Sequence, residues 1–181
     1  MKELLNIVSE DDEIIGAETR EKIHQEGLLH RETHVYFVTP KREIIFQHRA
    51  KDKDTYPDLL DATVGGHVEI GDSYEETALK ESLEETGIKI DPCDLLLIKK
   101  IRKNAEDKVT GKINNVFTSR YLYIYRGDVA DLKVEKGKAI GFEVWSMERL
   151  TNLSDKERAR FIQAILDFAP TLFGFIKGLK L

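Results

Sequence analysis

The 181 residues fit one domain with short extensions, and the 41% hydrophobic and 34% charged shares allow a buried core rather than disorder. Lysine plus arginine is 28 and aspartate plus glutamate is 33, so the net charge of −5 lacks the basic surplus of a binder of nucleic acid polymers. The lone Cys93 excludes an internal disulfide framework, no apolar run nears the roughly 18 residues of a membrane span, and the acidic N-terminus is no signal peptide, so a cytoplasmic location without a membrane partner is expected.

In chain order, residues 3–8 read as a first strand, ended by the acidic turn Ser9-Glu10-Asp11-Asp12. A short extended piece follows at 13–15, then a polar helix from Glu18 to Glu26 that Gly27 stops. Residues 33–38 and 43–48 form a predicted hairpin around Thr39-Pro40-Lys41-Arg42. Further strands are predicted at 95–101, 116–125 and 142–145. Ser73-Tyr74-Glu75-Glu76 fits a capping box whose helix ends at Gly87, and Ser154-Asp155-Lys156-Glu157 fits another. Phe161, Ile162, Ile165 and Leu166 follow at helical spacing until Pro170 breaks the helix. Strands, an inserted helix, more strands and a closing helix imply mixed α and β layers around one core, in a single domain spanning 1–181.

The chemistry concentrates in residues 65–88, GGHVEIGDSYEETALKESLEETGI. Glu84 and Glu85 lie about 60° and about 40° to either side of Glu81 on the predicted helix, so the three carboxylates share a face. Leu79 and Leu83 fall on the other side and are expected to meet the core. Three like charges repel unless a cation offsets them, and hard carboxylate oxygens suit Mg²⁺ or Mn²⁺. A solvated acidic face is the alternative, but the flanking Gly65-Gly66 lets backbone approach a ligand closely, and Gly71 adds a second flexible point.

This segment resembles the signature of the Nudix hydrolases. Gly66 stands at its first glycine, Glu81 and the pair Glu84-Glu85 at its acidic positions, and Gly87-Ile88 at its close. Asp72, Lys80 and Ser82 depart from the pattern, standing where a glutamate, an arginine and an aliphatic residue are usual. The resemblance implies an α/β/α sandwich with a mixed sheet, the signature forming a loop–helix–loop, and a core over about residues 30–168. It implies a Mg²⁺-dependent pyrophosphohydrolase acting on a diphosphate linkage in a nucleoside diphosphate derivative or a small organic diphosphate. Glu81, Glu84 and Glu85 are then both catalytic residues and metal ligands. Glu69 would add an outer contact, and a later acid would come from Glu135 or Glu143.

Upstream, LLHRETHVYFVTPKREIIFQHRA and YPDLLDATVGGHV resemble the branch containing the type I isopentenyl-diphosphate isomerases. Isomerase activity is the alternative, and it is disfavoured. Gly65 stands where that enzyme has its catalytic cysteine, and Asn114-Asn115 where it has a Glu-x-Glu. His30 and His67 resemble isomerase metal ligands, but with the remaining ligands missing they are expected to be structural or substrate-contacting. His24, His34 and His48 carry no assignment. Arg49 and Lys53 resemble diphosphate-contacting positions, and with Gly65, Gly66 and His67 they form the expected substrate-binding set. A non-catalytic metabolite sensor with a relaxed signature is a third reading. The apolar tail of Leu172, Phe173, Phe175, Ile176, Leu179 and Leu181 either packs back on the domain or forms a homodimer contact.

Overall fold

The computed structural model describes residues 3–53, 55–107 and 110–180; Leu181 of the apolar tail lies outside them. Strands β1 (Leu4–Val8) and β2 (Ile14–Thr19) form an antiparallel hairpin, followed by helix α1 (Arg20–Glu26). The helix predicted from Glu18 therefore starts two residues late. Glu18 and Thr19 instead extend β2, opposite Leu5 and Leu4. Gly27 stops α1 as expected, at φ 66°, a conformation that favours glycine.

The main sheet contains β3 (His30–Val38), β4 (Ile44–Arg49), β5 (Leu60–Asp61), β6 (Val64–His67), β7 (Leu96–Glu106), β8 (Ile113–Ile124) and β9 (Ala139–Trp145). Its order runs β5-β4-β3-β8-β7, with β6 on β3 and β9 on β4. Among the described residues, β3 and β8 pair in parallel and the other strand pairings of this sheet are antiparallel. The period-two alternation of β3 divides the core. Val35 and Phe37 face helix α2 (Tyr74–Thr86), while Tyr36 and Val38 face helix α5 (Gln163–Gly178). Helices on both faces of a mixed sheet make the expected α/β sandwich. The short helices α3 (Met147–Thr151) and α4 (Asp155–Arg158) join β9 to α5.

Two helix expectations need correction. The Ser154 capping box is present, but it opens only the one-turn α4; Phe161 then makes an isolated parallel bridge to Leu60 before α5 begins. Pro170 does not break α5 but lies within it. A proline there cannot donate to the carbonyl four residues back, yet Ile165, Phe168, Leu172 and Ile176 are all buried along one face. That burial outweighs the missing bond. The tail accordingly packs back on its own domain, with Phe173, Phe175 and Leu179 against the same core.

The Ser73 box and the Gly87 stop of α2 are present as expected. The facing of the helix is not as expected, because Leu83 is exposed while Thr77, Ala78, Glu81, Ser82, Glu85 and Thr86 are buried. Leu79 is partly buried against the core. The inward face of α2 is therefore largely polar. Ser82 and Thr86 satisfy their hydroxyls by donating to the carbonyls of Ala78 and Ser82, both at 2.6 Å.

Candidate active site

The inward face of α2 carries Glu81 and Glu85 against β6, which supplies Gly65 and Gly66. A Cβ on Gly66 would run into the Glu81 carboxyl group, so glycine lets this side chain cross the strand. Glu85 is 2% exposed; it accepts from Gln47 Nε2 at 2.9 Å and from the Gly65 amide at 3.3 Å. Glu84 is exposed and lines the same cavity, of about 320 Å³. The three glutamates thus divide, two held inside and one at the rim.

A lysine fills the space between the inner pair. Lys138, just before β9, places Nζ 3.0 Å from Glu81 Oε2, 3.3 Å from Glu85 Oε1 and 3.2 Å from Glu135 Oε2. Burial pushes the Glu85 carboxyl up to about 7 despite the nearby ammonium, and it raises Glu81 as well. Burial works against the Lys138 charge, but the Glu85 and Glu81 carboxylates overrule it and hold this ammonium above its ordinary value. Three hard carboxylates converging on one cationic point are a donor set that fits a divalent ion, with Lys138 as its stand-in. Glu135 joins this cluster. Glu143, the other later acid considered, instead binds Arg160 and Trp145 Nε1.

Lys80 pairs with Glu69 at 2.6 Å on the surface and touches none of the three signature glutamates. Arg49 lines the cavity but is engaged by Asp61 at 3.1 Å and by the carbonyls of Thr55 and Tyr56, so it braces the loop before β5. Lys53 and Lys103 line the cavity too, so basic as well as acidic side chains border it. Trp145 is buried in the core beside Phe161, and Cys93 is exposed.

His67 reaches the cavity as part of a cluster that adds His24 to the His30 and His67 pair singled out in the sequence. Its Nε2 lies 3.1 Å from His24 Nε2, and the ligand nitrogens of His24, His30 and His67 all fall within 4.8 Å of one another. The Leu28 and Ile113 carbonyls lie 2.9 and 3.2 Å from Nδ1 of His30 and His24, which fixes the tautomers that turn their Nε2 lone pairs inward. His30 Nε2 is buried with no hydrogen-bond partner among the described residues. Burial pushes the His30 imidazole down to about 4, and it also holds His67 well below its ordinary value, helped by the His30 and His24 neighbours. Neutral imidazoles in this arrangement can ligate a borderline metal.

Asn114 and Asn115 are structural here: Asn114 Nδ2 donates to Glu32 and Asn115 Nδ2 to the Gly27 carbonyl. A Cβ at Gly65 would press on His34 Cδ2 at 3.1 Å, a tight fit for the cysteine an isomerase needs.

The NUDIX domain model matches residues 28–165. An uncharacterized Nudix hydrolase of Clostridium acetobutylicum is 29% identical over 171 residues, covering 92% of this chain and 77% of the relative. YfcD of Salmonella typhi, another uncharacterized Nudix hydrolase, is 38% identical over 86 residues, which are 48% of this chain and 47% of YfcD, so the match spans about half of that relative. Among solved structures, DR0079 of Deinococcus radiodurans is similar at a TM-score of 0.74 and 21% identity, covering 93% of this chain and 98% of that one. At that identity the likeness carries the fold alone.

Proposed function

The chain belongs to the NUDIX domain family, and from that premise we propose that it is a metal-dependent pyrophosphohydrolase cleaving the diphosphate linkage of a nucleoside diphosphate derivative or a small organic diphosphate. The observation that carries this reading is the convergence of Glu81, Glu85 and Glu135 on one cationic point at the wall of the cavity. Glu81, Glu84 and Glu85 hold Mg²⁺ or Mn²⁺. Such an ion, when bound, neutralises phosphate charge and acidifies a water ligand for in-line attack. Gln47 and the Gly65 amide fix Glu85, and Gly66 leaves Glu81 its room. Lys53 meets the diphosphate as a point charge, Arg49 shapes the loop beside it, and the backbone of Gly65 and Gly66 and the ring of His67 bound the substrate.

Phosphate release from nucleotide sugars, dinucleoside polyphosphates, nucleoside triphosphates and prenyl diphosphates, with and without Mg²⁺, tests the reading. At least one class should be hydrolysed, chelator should abolish turnover, and Glu85→Gln should lower it by roughly 10²–10³-fold. Full turnover in excess chelator would overturn the metal assignment. A ligand that raises Tm without being cleaved would favour a sensor instead.

The His24, His30 and His67 trio favours one addition, a second metal position that takes Zn²⁺ or Mn²⁺ through neutral ring nitrogens. Metal analysis of the purified protein, with His30→Asn as the control, decides it. No interconversion of isopentenyl and dimethylallyl diphosphate is expected from either metal state, because Gly65 and Asn115 offer no acid–base pair.

A further inference from the structure

We infer that Lys138 is a built-in occupant of the acidic cluster, which a divalent cation must displace, so that cation binding and release of the Lys138 side chain are a single event. The inference rests on the reading that Glu81, Glu84 and Glu85 hold such a cation. Three carboxylates lie within 3.3 Å of the ammonium: it donates to Glu81 Oε2 at 3.0 Å and is ion-paired with Glu85 Oε1 and Glu135 Oε2 at 3.3 and 3.2 Å. The backbone beneath it is anchored: the Lys138 amide donates to the Glu135 carbonyl at 3.1 Å, and its own carbonyl accepts from the Ala50 amide at 3.0 Å. The turn passes through Gly137 at φ 83°, a conformation that an L side chain would strain.

The anchor keeps the ammonium at hand whenever the cluster lacks another cation, while its four-carbon stem lets the head group leave without moving the chain. The Glu81 and Glu85 oxygens beside Nζ are two of those a divalent ion would need. Two cations cannot share that point, both for want of space and through like-charge repulsion. The side chain is 29% exposed and borders the cavity, so it has a route out. Once freed, the ammonium enters the cavity that Lys53 and Lys103 also line, where a diphosphate would lie. Occupancy of the cluster would thus be handed from a tethered monovalent cation to a free divalent one. The displaced charge would become available to the substrate's anion.

The experiment follows the Lys138 Nζ resonance of ¹⁵N-labelled full-length protein during titration with Mg²⁺, with calorimetry recording Mg²⁺ binding in the same samples. Lys138→Arg identifies the resonance. The protected ammonium signal should disappear as Mg²⁺ saturates and return on adding chelator. Lys138→Met should bind Mg²⁺ about tenfold or more tighter, since it lacks the tethered competitor. A Lys138 signal that persists while calorimetry shows Mg²⁺ bound overturns the displacement and leaves the metal reading standing. Absence of Mg²⁺ binding in both the parent and Lys138→Met overturns both. The resonance is read on the parent protein, so the outcome does not depend on the variants folding.

Discussion

Glu85 is the residue whose environment differs most from what a helix surface would give it. Its folded carboxyl titrates at about 7 because of burial, against an ordinary 4.5. The native state therefore holds a proton that the unfolded chain releases, and this contribution to stability is complete below about 4.5 and lost as pH rises through about 7. At about 1.4 kcal/mol per pH unit, the full effect is on the order of 3 kcal/mol. Glu85→Gln removes it and can still meet Gln47 and the Gly65 amide. In metal-free urea titrations the variant should match the parent near pH 4.5 and exceed it increasingly toward pH 7.5. An unchanged difference across that range would mean that Glu85 is as solvated as an ordinary surface glutamate. His30 and His67 work in the opposite direction, because burial lowers both imidazoles. His30 refuses its proton down to about 4, so its share of stability is lost as pH falls below about 6.5. The three- and four-residue spacing of Glu81, Glu84 and Glu85 is a local signal, and all three line the cavity, though only Glu81 and Glu85 are buried. Sequence could not place His24 beside His30 and His67, since these come from α1, β3 and β6 and their spacing carries no periodic signal.

The elements that were legible are those whose signals are local. The Ser73 capping box, the Gly27 and Gly87 stops and the hairpin at Thr39–Arg42 all follow from side chains bonding to nearby backbone or from backbone freedom. Strand β6 was missed because Gly65-Gly66 has no strand propensity; it is a strand because Glu32 to Val35 pair with it. Leu83 was assigned to the core because apolar residues usually face inward. On α2 the inward face is reserved for the two carboxylates and the back-bonded hydroxyls. The reach of Pro170 was overstated for a similar reason, as propensity was weighed without the buried stripe on both sides of it. Pro170→Ala should restore the missing backbone bond within an already packed helix. The gain in urea unfolding should be about 1–3 kcal/mol, reduced slightly by the freer unfolded chain. A loss of stability would show that the helix bends at Pro170 in a way the packing requires.

At the scale of the molecule, the parallel pairing of β3 with β8 joins residues 86 positions apart, His30 with Val116 (116 − 30 = 86). The cavity extends this non-locality to nearly the whole chain. Its walls come from Glu3 and Arg20, from β6 and α2, from Lys103 and Asn114, and finally from Ile165 on α5. Closing such distant contacts is entropically slow, which sets an expected refolding time in the range of milliseconds to seconds. Trp145, the only tryptophan, is buried between β4 and the helices, with the Arg149 guanidinium 3.5 Å from its ring centre. Its fluorescence therefore reports completion of the core. After dilution from urea, recovery of Trp145 fluorescence and recovery of Mn²⁺ binding should share one rate constant. Binding that returns earlier would locate a preformed nucleus around α2 and β6. With a common rate, core and cavity would be made in one event: a copy not yet joined by the closing helix would scavenge no ligand, and affinity would arrive all at once.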